Sequence, residues 1–426
     1  MNYKQSIEYL FSILPYYQRQ GKQAYKANLD NIIALSEKLY NPHLSFPSIH
    51  IAGTNGKGSV SYMLSSILQE AGYKTGLYTS PHLKDFRERI KINGRRVKKD
   101  YVISFVNSHS EIFEKIQPSF FEVTVAMAFD YFRKKNIDIA IVETGLGGRL
   151  DSTNIITPVL SIITNIGKDH TYFLGDTLPK IAYEKAGIIK KNIPVIIGES
   201  NPLTDPVFIS KAIETNSDLT FADKKLLLLK KQRDNPNYQE FDIYENDKLM
   251  YRNLKTDLLG EYQEKNIITV LCALDKMNFD IQKKHIYRGL KNVTANTGIQ
   301  GRWQILKFNP LIICDSAHNR DGLKIVIEQV LKEKYENLHF VVGFVDDKDM
   351  DEILPLFPAE ASYYFTKANI ERAMAPEKIA ELARNYSLYG QVFGTIKDAF
   401  KAAKDQAMKD DLIFIGGSSF VVAEVL

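Results

Sequence analysis

Residues 48–71 run from a β-branched apolar stretch, SIHIA, through GTNGKGS into a segment with apolar residues at Val60, Met63, Leu64, Ile67, Leu68 and Ala71. The first stretch has the make-up of a buried strand, and the last has the three-to-four spacing of one helix face. A strand passed straight into a helix through a glycine-rich connection is the start of an α/β unit built on a parallel sheet. Gly53, Gly56 and Gly58 let backbone N–H groups turn inward around phosphate oxygens without a Cβ in the way. The helix N-terminus adds partial positive charge and Lys57 a full one. The Ser59 hydroxyl is placed for a phosphate or a magnesium ion. The spacing departs from GxxxxGK[ST]: Ile51 stands where the first glycine would be, and Gly58 separates the lysine from the hydroxyl. A plain glycine-rich turn with an incidental lysine is the alternative. The strand before, the helix after and the hydroxyl in place favour an anion site.

The βα rhythm continues, with buried strands expected at 75–79, 137–142, 160–166 and 194–198. Residues 219–259 alternate polar and apolar side chains and read as an antiparallel excursion. The polar, glycine-bearing segment 292–303 is the expected boundary. Beyond it strands are expected at 311–314, 338–345, 362–365 and 412–415, a second and smaller α/β domain. The expectation is therefore a domain over 1–296 and another over 297–426. A chain of 426 residues has room for both, and 44% hydrophobic with 25% charged residues excludes disordered, collagen-like and coiled-coil classes. A net charge of +4, evenly spread, argues against nucleic acid or a membrane surface as partner. Cys272 and Cys314 lie in apolar surroundings and read as buried thiols in a reducing compartment. The N-terminal segment is amphipathic (Ile7, Leu10, Phe11, Leu14), and no run approaches the ~20 apolar residues of a membrane span. A cytoplasmic monomer is expected.

Chemistry-bearing residues gather where these strands end. Glu143 closes 137–142, at the edge where open α/β sheets bind ligands; it suits either a metal ion or a cap for the glycine turn behind it. His170 follows 160–166 at the same edge, although magnesium prefers oxygen ligands and an isolated histidine is more often structural. Lys185, beside Glu184, reads on its own as a helix-surface lysine. Arg149 and Asp151 sit in GLGGRLDS, a turn that brings backbone close to a ligand. Asp346, Asp347 and Asp349 form an acidic loop equally readable as a solvated turn, and KINGRRVKKD (91–100) a basic hairpin read first as a charged solvent face.

GTNGKGS resembles the phosphate loop of the Mur ligase superfamily, ATP-dependent enzymes that form amide bonds. TSPHL (79–83), RERIKING (87–94), FFE (120–122), ETGLGGRLDSTN (143–154), DHT (169–171), EKAGI (184–188), GRW (301–303) and DSAHN (315–319) follow in the order of one of its members, the folylpolyglutamate synthase/dihydrofolate synthase family. The resemblance spans about residues 25–420. It implies a large phosphate-loop ATP-binding α/β domain, a smaller Rossmann-like α/β domain, and an active site in the cleft between them. It implies ATP contacts at Gly53, Thr54, Asn55, Gly56, Lys57, Gly58, Ser59, Asn266, Arg302 and Asp315. The family's neighbour pattern has a histidine where this chain has Tyr262. Magnesium falls to Ser80, Glu143 and His170, and the pterin to Thr79, Ser119, Leu150, Asp151 and Ser152. Tyr25, Lys26 and Ala27 match another substrate segment loosely. Lys57, Lys185 (carbamylated in the family) and His318 become the catalytic residues. The implied substrates are ATP, L-glutamate and dihydropteroate or a reduced folate. The sequence accommodates three rivals: a UDP-muramyl ligase, disfavoured by the 52 residues ahead of Gly53; a non-catalytic nucleotide-binding regulator; and an enzyme with one of the two ligase activities.

Overall fold

Short runs rich in Ile and Val, buried on both faces, pair side by side because each is followed by a helix that returns the chain to the sheet. The computed structural model describes residues 1–13, 28–232 and 235–426. Tyr25, Lys26, Ala27 and Leu14 lie outside the described residues. The chain divides into two compact units, Met1–Asp257 with Gln263–Gly298, and Leu258–Tyr262 with Ile299–Leu426.

The larger sheet of unit 1 has eight strands: β1 (Ser48–Ala52), β2 (Thr75–Tyr78), β3 (Ile90–Ile92), β4 (Arg95–Arg96), β5 (Ile139–Glu143), β6 (Leu160–Ile163), β7 (Val195–Ile197) and β8 (Leu219–Phe221). Their order is β4-β3-β2-β5-β1-β6-β7-β8. Six strands run parallel, and β3 and β4 add an antiparallel edge. The parallel strands all end at one edge, and the register Ile51↔Glu143 and Tyr78↔Val142 sets residues 51, 79 and 143 beside one another there, with Gly53 two residues beyond. β1, β5 and β6 are buried throughout. The helix Lys57–Glu70 starts inside the glycine loop, earlier than residue 60, because Gly56 in a left-handed conformation (φ 86°) is its N-cap.

The alternating segment from 219 divides in two. β8 extends the parallel sheet beside β7. Only β9 (Leu227–Lys230), β10 (Gln239–Glu245) and β11 (Lys248–Thr256) form an antiparallel sheet. β8 is half-buried along its length, as an edge strand is, so its pattern does not reveal the sheet it joins.

Unit 2 is a six-stranded sheet of β12 (Gln304–Phe308), β13 (Leu311–Cys314), β14 (Leu338–Val342), β15 (Ser362–Phe365), β16 (Gly390–Val392) and β17 (Leu412–Gly416), ordered β12-β13-β17-β14-β15-β16. All pairs are parallel except β12–β13. Residues 258–262 belong here because Gln329 Nε2 donates to Leu259 O (3.0 Å) and its Oε1 accepts from Glu261 N (2.7 Å). Both cysteines are free and buried, one in each unit. Among the described residues no helix is long and apolar enough to cross a membrane.

Candidate functional site

The glycine loop after β1 is clamped from the loop after β6. Asn165 takes Thr54 N on its carbonyl (3.0 Å) and Asn55 N on its side-chain oxygen (2.8 Å). Thr54 Oγ1 donates to Gly167 O and accepts from Gly167 N, and Thr164 Oγ1 donates to Asn55 O. Gly53 adopts φ 147°, and a Cβ there would collide with the Thr164 hydroxyl, so no other residue fits. Lys57 Nζ donates to Gly53 O (2.9 Å) and Thr54 O (3.1 Å).

Lys185 comes to the same place from 132 residues away: its Nζ donates to Gly53 O at 2.8 Å. The side chain is buried, and burial, with Lys57 beside it, pushes the ammonium down to about 7. Its helix, Leu178–Ala186, is tied to the glycine turn of ETGLGGRLDSTN by an Arg149–Glu184 ion pair (2.9 Å) and by Arg149 N donating to Glu184 O (2.7 Å). The surface-lysine reading is therefore wrong for Lys185.

Asp151 organises the same turn. Its Oδ2 accepts from Gly145 N and Leu146 N (both 2.8 Å), and Oδ1 from Thr153 N (3.0 Å) and the Thr153 hydroxyl. His50 of β1 reaches that hydroxyl with Nε2 at 2.8 Å. Leu150 and Ser152 flank it in chain. Ser119 caps the helix Phe120–Lys134 in a reciprocal box with Glu122, its N–H donating to Glu122 Oε2 at 2.6 Å. Thr79 Oγ1 lies 3.3 Å from the Tyr62 hydroxyl.

Glu143 is 4% exposed at the end of β5, with Ser80 just past the end of the adjacent β2. His170 has φ 49°, and its Nε2 lies 3.9 Å from Asp169 Oδ2. Among the described residues no cluster of three or more His, Cys, Asp and Glu forms a metal cage. That donor set suits magnesium, which takes one or two protein oxygens and completes its shell with water and phosphate. One buried carboxylate and one hydroxyl on neighbouring strand ends fit that demand.

Asn266 and Gln263 open the helix Gln263–Asp275. Asn266 Nδ2 donates to Gln263 Oε1 (2.8 Å), and Gln263 Nε2 to Ser59 Oγ (3.2 Å). A Cβ on Gly56 would strike Asn266 Oδ1, so this pair touches the glycine loop itself.

In unit 2, Asp315 at the end of β13 accepts from Trp303 N and the Tyr262 hydroxyl (both 2.6 Å) and from Ala317 N (2.8 Å). Burial raises its pKa, and the charge of Arg302 opposes that. His318 Nδ1 lies 3.0 Å from Ser316 O. The acidic loop is tied down by an Asp347–Arg372 pair (3.3 Å) and by Asp349 capping the helix Met350–Ile353. In the basic hairpin, Arg96 pairs with Asp85 and Glu88 (both 3.5 Å).

The Mur ligase middle domain matches residues 51–274, and the Mur ligase glutamate ligase domain matches residues 301–419. The folylpolyglutamate synthase of Lacticaseibacillus casei is 31% identical over 441 residues, covering 100% of this chain and 98% of the relative. The chain belongs to the folylpolyglutamate synthase/dihydrofolate synthase family. A crystal structure of the family's bifunctional enzyme from Yersinia pestis, complexed with AMPPNP and Mn ion, superposes with a TM-score of 0.84 at 26% identity, covering 100% of this chain and 97% of that one. A bifunctional folylpolyglutamate synthase/dihydropteroate synthase of Haloferax volcanii is 30% identical over 430 residues, and the chain spans 50% of its length. The strand, glycine loop and helix in succession led to the loop and its lysine. That pattern missed the Thr164–Asn165 clamp and the Gln263 contact to Ser59. The polar TNIG immediately after an apolar strand, at the same sheet edge, was the available signal for the clamp.

Proposed function

We propose that the chain joins L-glutamate to dihydropteroate or a reduced folate, converting ATP to ADP and phosphate. The observation that carries this reading is the convergence of Lys57 and Lys185 on the Gly53 carbonyl inside the glycine loop. The Lys57 ammonium and the loop amides surround the place where a γ-phosphoryl group would gather negative charge, with Lys185 against the same carbonyl. A substrate carboxylate oxygen attacks the γ-phosphorus, the bond to ADP breaks, and an acyl phosphate forms. The glutamate α-amine adds to the acyl carbon, loses a proton, and the C–O bond to phosphate breaks. Lys57 holds the transferring group. Gly53, Thr54, Asn55, Gly56, Gly58, Ser59 and Asn266 hold the nucleotide, and the family resemblance assigns Arg302 and Asp315 to ATP as well. His318 joins the catalytic residues. Ser80, Glu143 and His170 would hold magnesium, which neutralises phosphate charge when bound. Thr79, Ser119, Leu150, Asp151 and Ser152 line the pterin. Two free buried thiols fit a reducing compartment such as the cytoplasm, and the proposed state is a monomer.

The direct test incubates the protein with ATP, Mg²⁺ and L-glutamate, with dihydropteroate in one reaction and tetrahydrofolate in another, and weighs the products. A glutamyl adduct in either confirms ligation, and adducts in both make the chain bifunctional. No adduct, with phosphate released on a UDP-muramyl substrate, overturns the folate reading.

Lys185 is proposed to act as its carbamate, a carboxylate made from the neutral amine and CO₂. Its ammonium is pushed down to about 7, so the reactive amine predominates above that pH and gives way to the cation below it. Turnover in CO₂-depleted buffer is expected to fall by about tenfold and to return with bicarbonate, the loss deepening as pH drops through about 7. CO₂-independent turnover across that range would leave Lys185 as a plain amine.

A further inference from the structure

Arg89 is 3% exposed, yet the groups that meet its guanidinium are neutral. Its Nε donates to His82 Nδ1 at 2.7 Å, its guanidinium carbon lies 5.3 Å from the centre of the Phe120 ring, and the Tyr78 phenol adjoins it. The acids nearest in sequence are committed elsewhere. Asp85 pairs with Arg87 at 2.6 Å, and Glu88 accepts from the backbone of Leu83 and Asp85. Among the described residues Arg89 makes no ion pair. A buried cation without an acid is costly, so its position calls for an acceptor from outside the chain.

The surroundings narrow that acceptor. Thr79 N donates to Arg89 O at 3.1 Å, which fixes residue 89 beside the end of β2. Phe120 follows Ser119 directly. Arg89 therefore sits among residues assigned above to the pterin. Because Nε can only donate, His82 Nδ1 accepts and its proton is on Nε2. Arg89 and His82 thus offer donors and no acceptor, while the Asp151 carboxylate is already taken by Gly145, Leu146 and Thr153. The guanidinium is held over the Phe120 ring, which also stacks on Phe11 (4.9 Å between ring centres), so its plane is fixed within an aromatic cluster.

We propose that Arg89, held by His82 and Phe120, is the residue that selects the 4-oxo edge of the pteridine. The inference rests on the folate reading and adds the group that distinguishes one pteridine from another.

The test compares dihydropteroate with its 4-amino-4-deoxy counterpart, in which the oxygen acceptor becomes a nitrogen donor, on wild type and Arg89→Met. The wild type is expected to prefer the 4-oxo substrate. Arg89→Met raises the KM for that substrate by about tenfold to a hundredfold, the worth of a charged hydrogen bond. It moves the 4-amino KM by less than about twofold and leaves the KM for ATP unchanged, so discrimination collapses. Equal losses on both pteridines, or none, overturn the assignment. If the methionine variant does not accumulate, Arg89→Gln takes its place with the same expected shifts and the same overturning results. Failure of the wild type to ligate glutamate to the 4-oxo substrate would refute the folate reading itself. A wild type that ligates, with discrimination surviving in the variants, refutes only the role of Arg89.

Discussion

Lys57→Ala is expected to lower kcat for glutamate ligation by about a hundredfold or more while leaving the thermal midpoint of unfolding nearly unchanged. The rate loss follows from where the charge sits. The lysine starts the helix Lys57–Glu70, and its Nζ spans the carbonyls of Gly53 and Thr54, which places a full positive charge at the mouth of the glycine loop. Charge of that kind acts on oxygens that become more negative as phosphorus passes from one to another, and single preorganised donors are worth ~3 kcal/mol or more in such sites. Stability should hold because Lys57 is only half-buried and the loop is held independently by Asn165, Thr164 and Gly167. Lys57→Arg should not restore the rate, since a forked guanidinium cannot take the place of a compact ammonium between two carbonyls. The same variant reports on Lys185. Lys57 is one of the charges that hold the Lys185 ammonium down, so removing it raises the Lys185 pKa and shifts the CO₂ dependence to higher pH. Turnover within about threefold of wild type in Lys57→Ala would remove the glycine loop from the chemistry.

What could be read in advance follows from the range over which each signal acts. β1 and β13 were legible at their observed bounds because a strand buried on both faces writes itself as an unbroken apolar run. β4, two exposed arginines, and β16, exposed throughout, were not, since edge strands owe their pairing to a neighbour and not to their own side chains. The glycine loop was legible because its φ angles and its lysine are local. The clamp upon it was not: Thr164 meets Asn55 across 109 residues, and Gln263 meets Ser59 across 204. Lys185 shows the limit most sharply. Its own segment has the look of a helix surface, yet Lys185 shares the buried face of Ile181, Ala182 and Ala186 and meets the Gly53 carbonyl. Asp151 and Ser119 carry a further lesson. Both were singled out as ligand contacts, and both spend their side chains on the chain's own amides, so any hold on a ligand must use what those bonds leave over.

Asp315→Ala is expected to destabilise unit 2 by ~3 kcal/mol or more and to abolish ligation with it. Three donors converge on that carboxylate: Trp303 N and the Tyr262 hydroxyl on one oxygen, Ala317 N on the other. They come from three separate stretches, the segment 258–262, the approach to β12 and the turn after β13. Alanine leaves all three buried donors unmatched, and each carries a desolvation cost of about 1–3 kcal/mol. Asp315→Asn is milder, because the amide oxygen still accepts while its NH₂ faces a donor. The damage should be local. Hydrogen exchange should quicken across β12, β13 and the Tyr262 segment and stay slow in β1, β5 and β6, which belong to the other unit. A carboxylate has about four acceptor positions, and three are taken within the chain, which leaves room for one ligand hydroxyl. If Asp315→Ala unfolds like the wild type and only the KM for ATP rises, the carboxylate serves the ribose and the frame has other supports. If exchange quickens and the midpoint drops, the same side chain builds the strand end from which any nucleotide contact in unit 2 would have to be made.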